Sequence, residues 1–169
     1  MRIFLIGFMG SGKTHWGKQL ATLLKIPFMD LDEKIESTTG KTVTQIFAES
    51  GEEFFRVTER DLLEQVIDEN NSMVLSVGGG TPCFFNNIST MKKKGIVVWL
   101  NTHVDVLLQR LLQGRKERPL IRDISDADLK NYIVRKLNER RMYYEQANVV
   151  IDNESNMSPS HFIQTILHA

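Results

Sequence analysis

Residues 7–14 read Gly7-Phe8-Met9-Gly10-Ser11-Gly12-Lys13-Thr14, and this stretch decides the fold. It fits the pattern of a glycine, four residues and then Gly-Lys-Ser/Thr, and it lies between the apolar run 2–6 and a segment of helical period. Glycines let backbone N–H groups curl toward a phosphate, and the helix that follows adds the positive end of its dipole. The stretch therefore predicts a phosphate-binding loop rather than a glycine-rich turn without a ligand.

The loop also predicts which groups meet a bound nucleotide. Lys13 is expected to reach the β- and γ-phosphates, and the hydroxyl of Thr14 is expected to coordinate Mg²⁺. The predicted nucleotide-binding residues also include Gly10, Ser11, Gly12 and His15, which lie in the loop or directly after it. The side chain of His15 itself is expected to point away from the phosphates, toward solvent.

Short apolar runs alternate with longer segments of helical period, which predicts a parallel sheet covered by helices in one α/β domain, residues 1–169. Strands are predicted at 2–6, 27–29, 73–77, 96–100 and 148–151. A helix is predicted over about 126–145, and a last helix is predicted to begin after Ser158 as its N-cap. The first helix is expected to pack on the sheet through Trp16, Leu20, Leu23 and Leu24.

Composition excludes several classes of protein. The 169 residues carry 21 Lys and Arg against 21 Asp and Glu, a net charge of zero that argues against a dedicated nucleic-acid binder. The one cysteine, Cys83, excludes an internal disulfide and a thiolate metal cage, and favours the cytoplasm. Glycines interrupt the apolar N-terminus too early for a signal peptide or a membrane span, so no membrane partner is expected.

A phosphate-binding loop occurs in kinases, GTPases and ATPases, and the rest of the chain favours a small kinase. The sequence has no Asn-Lys-x-Asp reader of guanine, and it is short for a large ATPase. Asp30-Leu31-Asp32 follows the second predicted strand, at the sheet edge where ligands of such folds bind. One carboxylate can hold Mg²⁺ through water and the other can accept a proton from an acceptor hydroxyl. The alternative is that Asp32 merely caps a helix.

Two further features suggest a pocket for an anionic acceptor. Gly78-Gly79-Gly80 follows the third predicted strand, where it permits the close approach of a ligand or forms a flexible connection. The arginines that can clamp a carboxylate or phosphate are Arg56, Arg110, Arg118 and either Arg140 or Arg141. Helical period places Arg140 on the apolar face with Tyr144, whereas Arg141 is rotated off it.

In order and spacing these motifs resemble the shikimate kinase family over the whole chain. They are residues 7–14, 30–32, Phe55-Arg56, 78–80, Arg118-Pro119-Leu120 and Glu139-Arg140-x-x-x-Tyr144. The resemblance implies a three-layer α/β/α P-loop kinase fold with a five-stranded parallel sheet in the order 2-3-1-4-5 and a mobile lid. It also implies transfer of the γ-phosphoryl group of ATP to the 3-hydroxyl of shikimate, on the route to chorismate and the aromatic amino acids.

The resemblance further implies roles for individual residues. Shikimate would be held by Asp32, Arg56, Arg140 and the glycines Gly78, Gly79 and Gly80, with the two arginines on its carboxylate. The catalytic residues would be Lys13, Asp32 as base and Arg118 on the transferring phosphate. Arg110 would lie against adenine, and Thr14 with Asp30 and Ser76 would arrange Mg²⁺. The substrate-binding region would span about 31–62 and the lid about 113–125.

The chain departs from the family pattern at two motifs, and its segment from Arg110 to Arg118 also looks one residue longer than in some relatives. His15 stands where the family usually has Ser or Thr, and Arg140-Arg141-Met142-Tyr143-Tyr144 stands where it usually has Arg-x-Pro-Leu-Tyr. The second departure leaves the choice between Arg140 and Arg141 open. The alternative functions are another small kinase, acting on gluconate or a nucleoside monophosphate, and a nucleotide-binding regulatory protein without catalysis. We expect a monomer that binds ATP and shikimate.

Overall fold

The computed structural model describes residues 1–114, 121, 123–152 and 158–167. The strands are β1 (Arg2–Ile6), β2 (Phe28–Asp30), β3 (Met73–Ser76), β4 (Ile96–Asn101) and β5 (Val149–Asp152). The helices are α1 (Lys13–Leu24), α2 (Leu31–Thr39), α3 (Val43–Glu69), α4 (Asn87–Lys94), α5 (Val104–Gln113), α6 (Asp126–Tyr144) and α7 (Pro159–Leu167), with a short 3₁₀ turn at Thr81–Cys83. Each predicted strand is confirmed to within one residue at either end.

The sheet has all five strands parallel, in the order β2-β3-β1-β4-β5, which confirms the expected topology. Ser76 at the end of β3 pairs with Leu5 of β1 and with Asp30 of β2. Because parallel strands end at the same edge, the segments that follow β1, β2 and β3 all emerge side by side there. This edge therefore collects the phosphate-binding loop, the two aspartates and the triple glycine.

Helices cover both faces of the sheet, as the three-layer architecture requires. Phe4 and Ile6 of β1 face α2, α3, α4 and α6 within one buried cluster. Ile3 and Leu5 face the other way, against α1 and α7, where the Trp16 and Phe162 rings stack with centroids 4.6 Å apart. The alternation along β1 places one hydrophobic core on each side of the sheet.

Helix α1 packs on the sheet through Trp16, Gly17, Leu20 and Ala21. The expectation that Leu23 is part of this face is wrong, since 57% of its surface is exposed. The buried face is centred between Gly17 and Leu20, and at about 100° per residue Leu23 lies roughly a quarter turn away from that centre. At the start of α7, the hydroxyl of Ser158 accepts a hydrogen bond from the backbone N–H of His161 (3.2 Å), as predicted for an N-cap.

Helix α3 brings distant parts of the chain to the sheet edge. It begins with a capping box between Thr42 and Gln45, and it is broken at Gly51, whose φ of 82° is outside the helical region.

Across the described ranges, no helix is both long and apolar enough to cross a bilayer. Residues 115–120 and 122 of the predicted lid, Arg118 among them, lie outside the described residues.

Candidate active site

The phosphate-binding loop has the backbone that its glycines predict. Gly12 caps α1 with a φ of 91°, a left-handed conformation that favours glycine. Gly7 has a φ of 143°, and a Cβ there would lie 2.8 Å from the carbonyl oxygen of Leu100. Lys13 donates from Nζ to the carbonyl oxygens of Gly7 (2.8 Å) and Phe8 (3.1 Å). The ammonium group is therefore held against the loop whose N–H groups would meet the phosphates.

Two further predicted nucleotide contacts lie near this loop. His15 is exposed, and its Nε2 lies 2.7 Å from the amide nitrogen of Gln19, so its side chain faces solvent at the rim of the cleft as expected. Arg110 on α5 donates from Nη1 to the carbonyl oxygen of Gly10 (3.0 Å). That bond joins α5 to the loop and keeps a positive charge beside the nucleotide end of the cleft.

The two aspartates after β2 divide into a capping residue and a buried acid. Oδ1 of Asp30 accepts a hydrogen bond from the backbone N–H of Asp32 (3.0 Å), so Asp30 caps α2 and the alternative of Asp32 as the cap is wrong. Asp32 lies in the first helical turn. Burial, followed by the negative charges of Asp30 and Glu59, raises the pKa of Asp32 to about 6, while Lys13 opposes that rise. Asp32 is therefore poised to exchange a proton near neutral pH.

The triple glycine is required for space rather than for backbone freedom. None of the three glycines has a φ in the left-handed region. A Cβ on Gly80 would lie 2.6 Å from Nη2 of Arg56, and one on Gly79 would lie 3.0 Å from Nη1 of Arg140. A Cβ on Gly78 would lie 3.4 Å from Oδ1 of Asp32. Gly79 and Gly80 thus each make room for one predicted acceptor-binding side chain, whereas the nearest neighbours of a Cβ on Gly78 would be Thr81 and Glu59.

Arg56 is held by a buried partner that the sequence motifs did not include. Glu59, with no exposed surface, forms an ion pair with Nη1 of Arg56 (2.9 Å) and accepts a hydrogen bond from the hydroxyl of Thr81 (2.5 Å). The guanidinium carbon also lies 4.2 Å from the centroid of the Phe84 ring. The spacing of Arg56 and Glu59, three residues apart on one helix, is the one signal that could have revealed this pair.

The structure separates the two neighbouring arginines of α6. Arg140 lines the cleft, with its guanidinium carbon 5.5 Å from the centroid of the Phe8 ring. Arg141 is 67% exposed and pairs with Glu145 through a 2.6 Å contact. The helical period had favoured Arg140, and the structure places only Arg140 of the two at the cleft.

These groups meet in one cleft with a volume of about 1160 Å³ at the carboxyl edge of the sheet. The predicted residues that line it are Gly10, Gly12, Lys13, Thr14, His15, Asp30, Asp32, Arg56, Gly78, Gly79, Gly80, Arg110 and Arg140, together with Ser76. Ser11 is a buried residue of the loop, and Arg118 lies outside the described residues. A phosphate-binding loop at one end and paired arginines beside a buried acid at the other define a small P-loop kinase that acts on an anionic acceptor.

Comparisons with known proteins agree with this class and narrow it. The family model described as shikimate kinase matches residues 9–169. The shikimate kinase of Azobacteroides pseudotrichonymphae genomovar. CFP2 is 43% identical over 149 residues, covering 88% of each chain. The chain belongs to the shikimate kinase family, and it is therefore a phosphotransferase that uses ATP to phosphorylate a hydroxyl of shikimate.

Solved structures of the family share the fold over nearly the whole chain. A shikimate kinase from Bacteroides thetaiotaomicron superposes with a TM-score of 0.90 at 39% identity, covering 99% of this chain and 95% of that one. A shikimate kinase from Acinetobacter baumannii, solved in complex with shikimate, superposes with a TM-score of 0.85 at 36% identity, covering 99% of this chain and 90% of that one. These comparisons do not favour the alternative functions, which were a kinase acting on gluconate or a nucleoside monophosphate and a regulatory protein without catalysis.

Proposed function

We propose that Lys13, Asp32, Arg56 and Arg140 carry out the transfer of the γ-phosphoryl group of ATP to the 3-hydroxyl of shikimate. The observation that supports this assignment is the position of Asp32 inside the cleft. Its charge is coupled to Lys13 on the phosphate side and to Glu59 on the acceptor side, and its carboxylate lies beside Gly78. Among the residues that the structure describes, Asp32 is thus an acid that interacts with the charges at both ends of the cleft.

The chemical step needs one proton transfer and much charge neutralisation. As the 3-hydroxyl oxygen forms its bond to the γ-phosphorus, the bond from that phosphorus to the β,γ-bridging oxygen breaks and ADP leaves. The hydroxyl proton passes to the Asp32 carboxylate, whose pKa of about 6 leaves it ionised at neutral pH yet basic enough to accept the proton. The ammonium group of Lys13 stabilises the charge on the transferring phosphoryl group.

The acceptor's carboxylate is proposed to lie between Arg56 and Arg140. The two guanidinium groups flank the glycine bend, with Arg56 beside Gly80 and Arg140 beside Gly79. Two guanidinium forks hold a planar carboxylate in a defined orientation, which a single lysine would not. Residues 31–62 supply Asp32 and Arg56 to this end of the cleft, and we propose them as the substrate-binding region.

We propose Mg²⁺ as the metal that accompanies ATP, with Thr14 at its site and with Asp30 and Ser76 acting through water. Thr14, Asp30 and Ser76 line the same cleft, and Asp30 and Ser76 are partners in neighbouring strands. Within the residues that the structure describes, no cluster of three or more His, Cys, Asp or Glu residues is present. This fits Mg²⁺, which binds through one or two carboxylates, substrate phosphates and several waters. When bound, the ion neutralises phosphate charge.

Arg118 and the lid around it, residues 113–125, are proposed from the sequence. The proposal is that Arg118 reaches the transferring phosphoryl group and that the lid excludes water during the reaction. We expect Arg118→Ala to lower single-turnover phosphorylation by about 100-fold or more, as loss of an arginine finger does. Near-normal single-turnover phosphorylation in a quench-flow experiment would remove Arg118 from the catalytic residues.

We also propose that the protein acts as a monomer in the cytoplasm on small soluble substrates, without a nucleic-acid or membrane partner. The cleft described above is formed within one chain, the net charge is zero, and Cys83 is a free thiol. Sedimentation of the active enzyme at micromolar concentration is expected to give a single species of about 19 kDa, in line with its 19.4 kDa mass.

The residue assignments are tested by an ADP-release assay on the enzyme and on two neighbouring arginine variants. Shikimate, gluconate and nucleoside monophosphates are offered as acceptors, and only shikimate is expected to release ADP. Arg140→Ala should raise the KM for shikimate by about 30-fold or more, because it removes a charge-assisted bidentate contact. The KM for ATP should stay the same. Arg141→Ala is the matched control and should leave both constants unchanged, and the reverse pattern would contradict the assignment.

A further inference from the structure

The last residue of α6, Tyr144, lies under the acceptor end of the cleft with no exposed surface. Its ring packs against Trp99 of β4, with the two ring centroids 5.6 Å apart. Its hydroxyl donates a hydrogen bond to the carbonyl oxygen of Gly79 at 2.6 Å. A buried tyrosine hydroxyl needs a hydrogen-bond partner, and because its partner here is Gly79, the hydroxyl connects the end of α6 to the middle of the glycine bend.

The Arg140 guanidinium, one helical turn earlier, lies beside the same hydroxyl, since a Cβ added to Gly79 would stand 3.0 Å from Nη1 of Arg140 and 3.5 Å from the hydroxyl oxygen of Tyr144. Burial raises the pKa of Tyr144 to about 12, opposed by the positive charge of Arg140, so the hydroxyl keeps its proton at every pH at which the enzyme works. It can therefore donate to Gly79 and accept from Arg140 at the same time. One buried group thus joins the bend to the guanidinium.

Arg140 is restrained from three sides by this arrangement. Phe8 lies under its guanidinium, the Tyr144 hydroxyl lies beside it, and the backbone of Gly79 is so near that an added Cβ would stand 3.0 Å from Nη1. An unrestrained arginine side chain has many rotamers, and it would lose much of that freedom on binding a carboxylate. Restraint before binding reduces that loss and strengthens binding.

We propose that Tyr144 is a positioning residue of the acceptor site, whose hydroxyl holds the Arg140 guanidinium beside Gly79 and so sets the affinity for the acceptor's carboxylate. The proposal rests on the proposed role of Arg140, and it adds a residue that acts through Arg140 without touching the substrate. Its consequence is selective: the hydroxyl affects a carboxylate-bearing acceptor and leaves the nucleotide end unaffected.

Tyr144→Phe is the direct test, because it keeps the ring against Trp99 and removes only the hydroxyl. We expect the KM for shikimate to rise by about 5- to 20-fold, the loss associated with one hydrogen bond to a charged group, while the KM for ATP stays within twofold. Tyr143→Phe, on the half-buried neighbouring residue, is the matched control and should leave both constants unchanged. An unchanged KM for shikimate in Tyr144→Phe would overturn the proposal.

A second measurement separates positioning from loss of stability. Shikimate and its methyl ester are compared as acceptors, since the ester lacks the charged carboxylate. Tyr144→Phe should lower the ratio of kcat/KM for shikimate to kcat/KM for the ester by the same 5- to 20-fold. A variant that only loosens the fold would lower both values together and leave the ratio unchanged, which would overturn the proposal.

A double-mutant cycle with Arg140→Ala distinguishes this proposal from the site assignment on which it rests. If the Tyr144 hydroxyl acts through Arg140, Tyr144→Phe should have almost no further effect on shikimate binding when Arg140 is absent. An equal effect in both backgrounds would overturn the positioning role while leaving Arg140 in place. If Arg140→Ala alone left shikimate binding unchanged, the assignment of Arg140 would fail first, and the role of Tyr144 with it.

Discussion

The two ends of the cleft are built in different ways. At the phosphate end, residues 7–14 supply the groups, and Lys13 is held by the carbonyls of Gly7 and Phe8, close neighbours in the chain. At the acceptor end, the contacts join residues far apart in sequence. The hydroxyl of Tyr144 reaches Gly79, 65 positions away, and Thr81 reaches Glu59 across 22 positions.

The difference follows from what each end has to bind. Phosphate groups are common to all nucleotides, and backbone N–H groups of one loop together with one lysine suffice to bind them. An acceptor that carries both a carboxylate and hydroxyls needs side chains placed at several angles around it, and no single loop can supply these. Substitutions at the two ends are therefore expected to have separable effects.

The largest effect is expected at the phosphate end. Lys13→Met removes the positive charge that we propose stabilises the transferring phosphoryl group, and we expect kcat to fall by about 1,000-fold or more. Binding of shikimate, measured by calorimetry without nucleotide, should change by less than threefold. Lys18→Met, on the exposed face of α1, is the control and should retain normal turnover. A kcat within tenfold of the parent would show that Lys13 does not stabilise the transferring group.

A smaller effect is expected from one added methyl group at the acceptor end. The backbone of Gly80, with φ −91° and ψ −19°, accepts alanine, but the new Cβ would meet Nη2 of Arg56 at 2.6 Å. Gly80→Ala should displace that guanidinium and raise the KM for shikimate by about tenfold, the equivalent of about 1.4 kcal/mol. The KM for ATP should not change.

Gly78→Ala provides the comparison for this variant. The first contact of its Cβ is the hydroxyl of Thr81 at 3.1 Å, so we expect a weaker effect on the KM for shikimate than that of Gly80→Ala. Equal rises in the KM for ATP and for shikimate in Gly80→Ala would contradict the separation of the two ends.

The last effect concerns stability rather than activity, at the junction of the two ends where Asp32 lies. Its pKa is about 6 in the folded protein against the ordinary 3.8, so the folded state binds the proton more tightly than the unfolded chain. Stability from this group is therefore complete below about pH 4 and is lost as the pH rises toward and through 6. Asp32→Asn cannot ionise, and its advantage over the parent should grow with pH.

Urea unfolding in the presence of EDTA and without nucleotide measures this difference. We expect the free energy of unfolding of Asp32→Asn, minus that of the parent, to be about 2 kcal/mol larger at pH 8 than at pH 4, so that the variant is relatively more stable at high pH. Taking the difference between the free energies of unfolding of the two proteins cancels the contributions of the other titrating groups, which both proteins share. If the difference did not depend on pH, ionised Asp32 would not destabilise the folded protein in the absence of ligands, and the raised pKa would be contradicted.

Much of the fold was predictable because its signals are local. The apolar run at β1 followed by the glycine-rich loop predicted the first strand and the start of α1, and runs of similar character predicted the other strands to within one residue. The strand order came from the resemblance of the whole set of motifs to one family, and the structure confirms it. Leu23 shows the limit of such patterns, since an apolar residue at the margin of a helical face is buried only if a neighbour covers it.

The candidate site was predictable in its residue types more than in its contacts. Asp30 and Asp32 were predicted together, but which of them caps α2 depends on where the helix begins within the chain's path from β2. The partner of Arg56 was missed, because Glu59 looks like an ordinary helix-surface charge until Thr81 and the glycine bend pack over it.

By itself, the sequence of this protein determined the chemistry of its phosphate end. The glycines, Lys13 and Thr14 are consecutive or nearly so, and their arrangement follows from bond geometry and local backbone preference. The tertiary structure decided the acceptor end, where it buried Asp32 and Glu59, brought Gly79 to Arg140, and left Arg141 on the surface. The physical reason is that burial, shifted pKa values and guanidinium orientation depend on neighbours contributed by distant segments, which only the packed sheet and helices bring together.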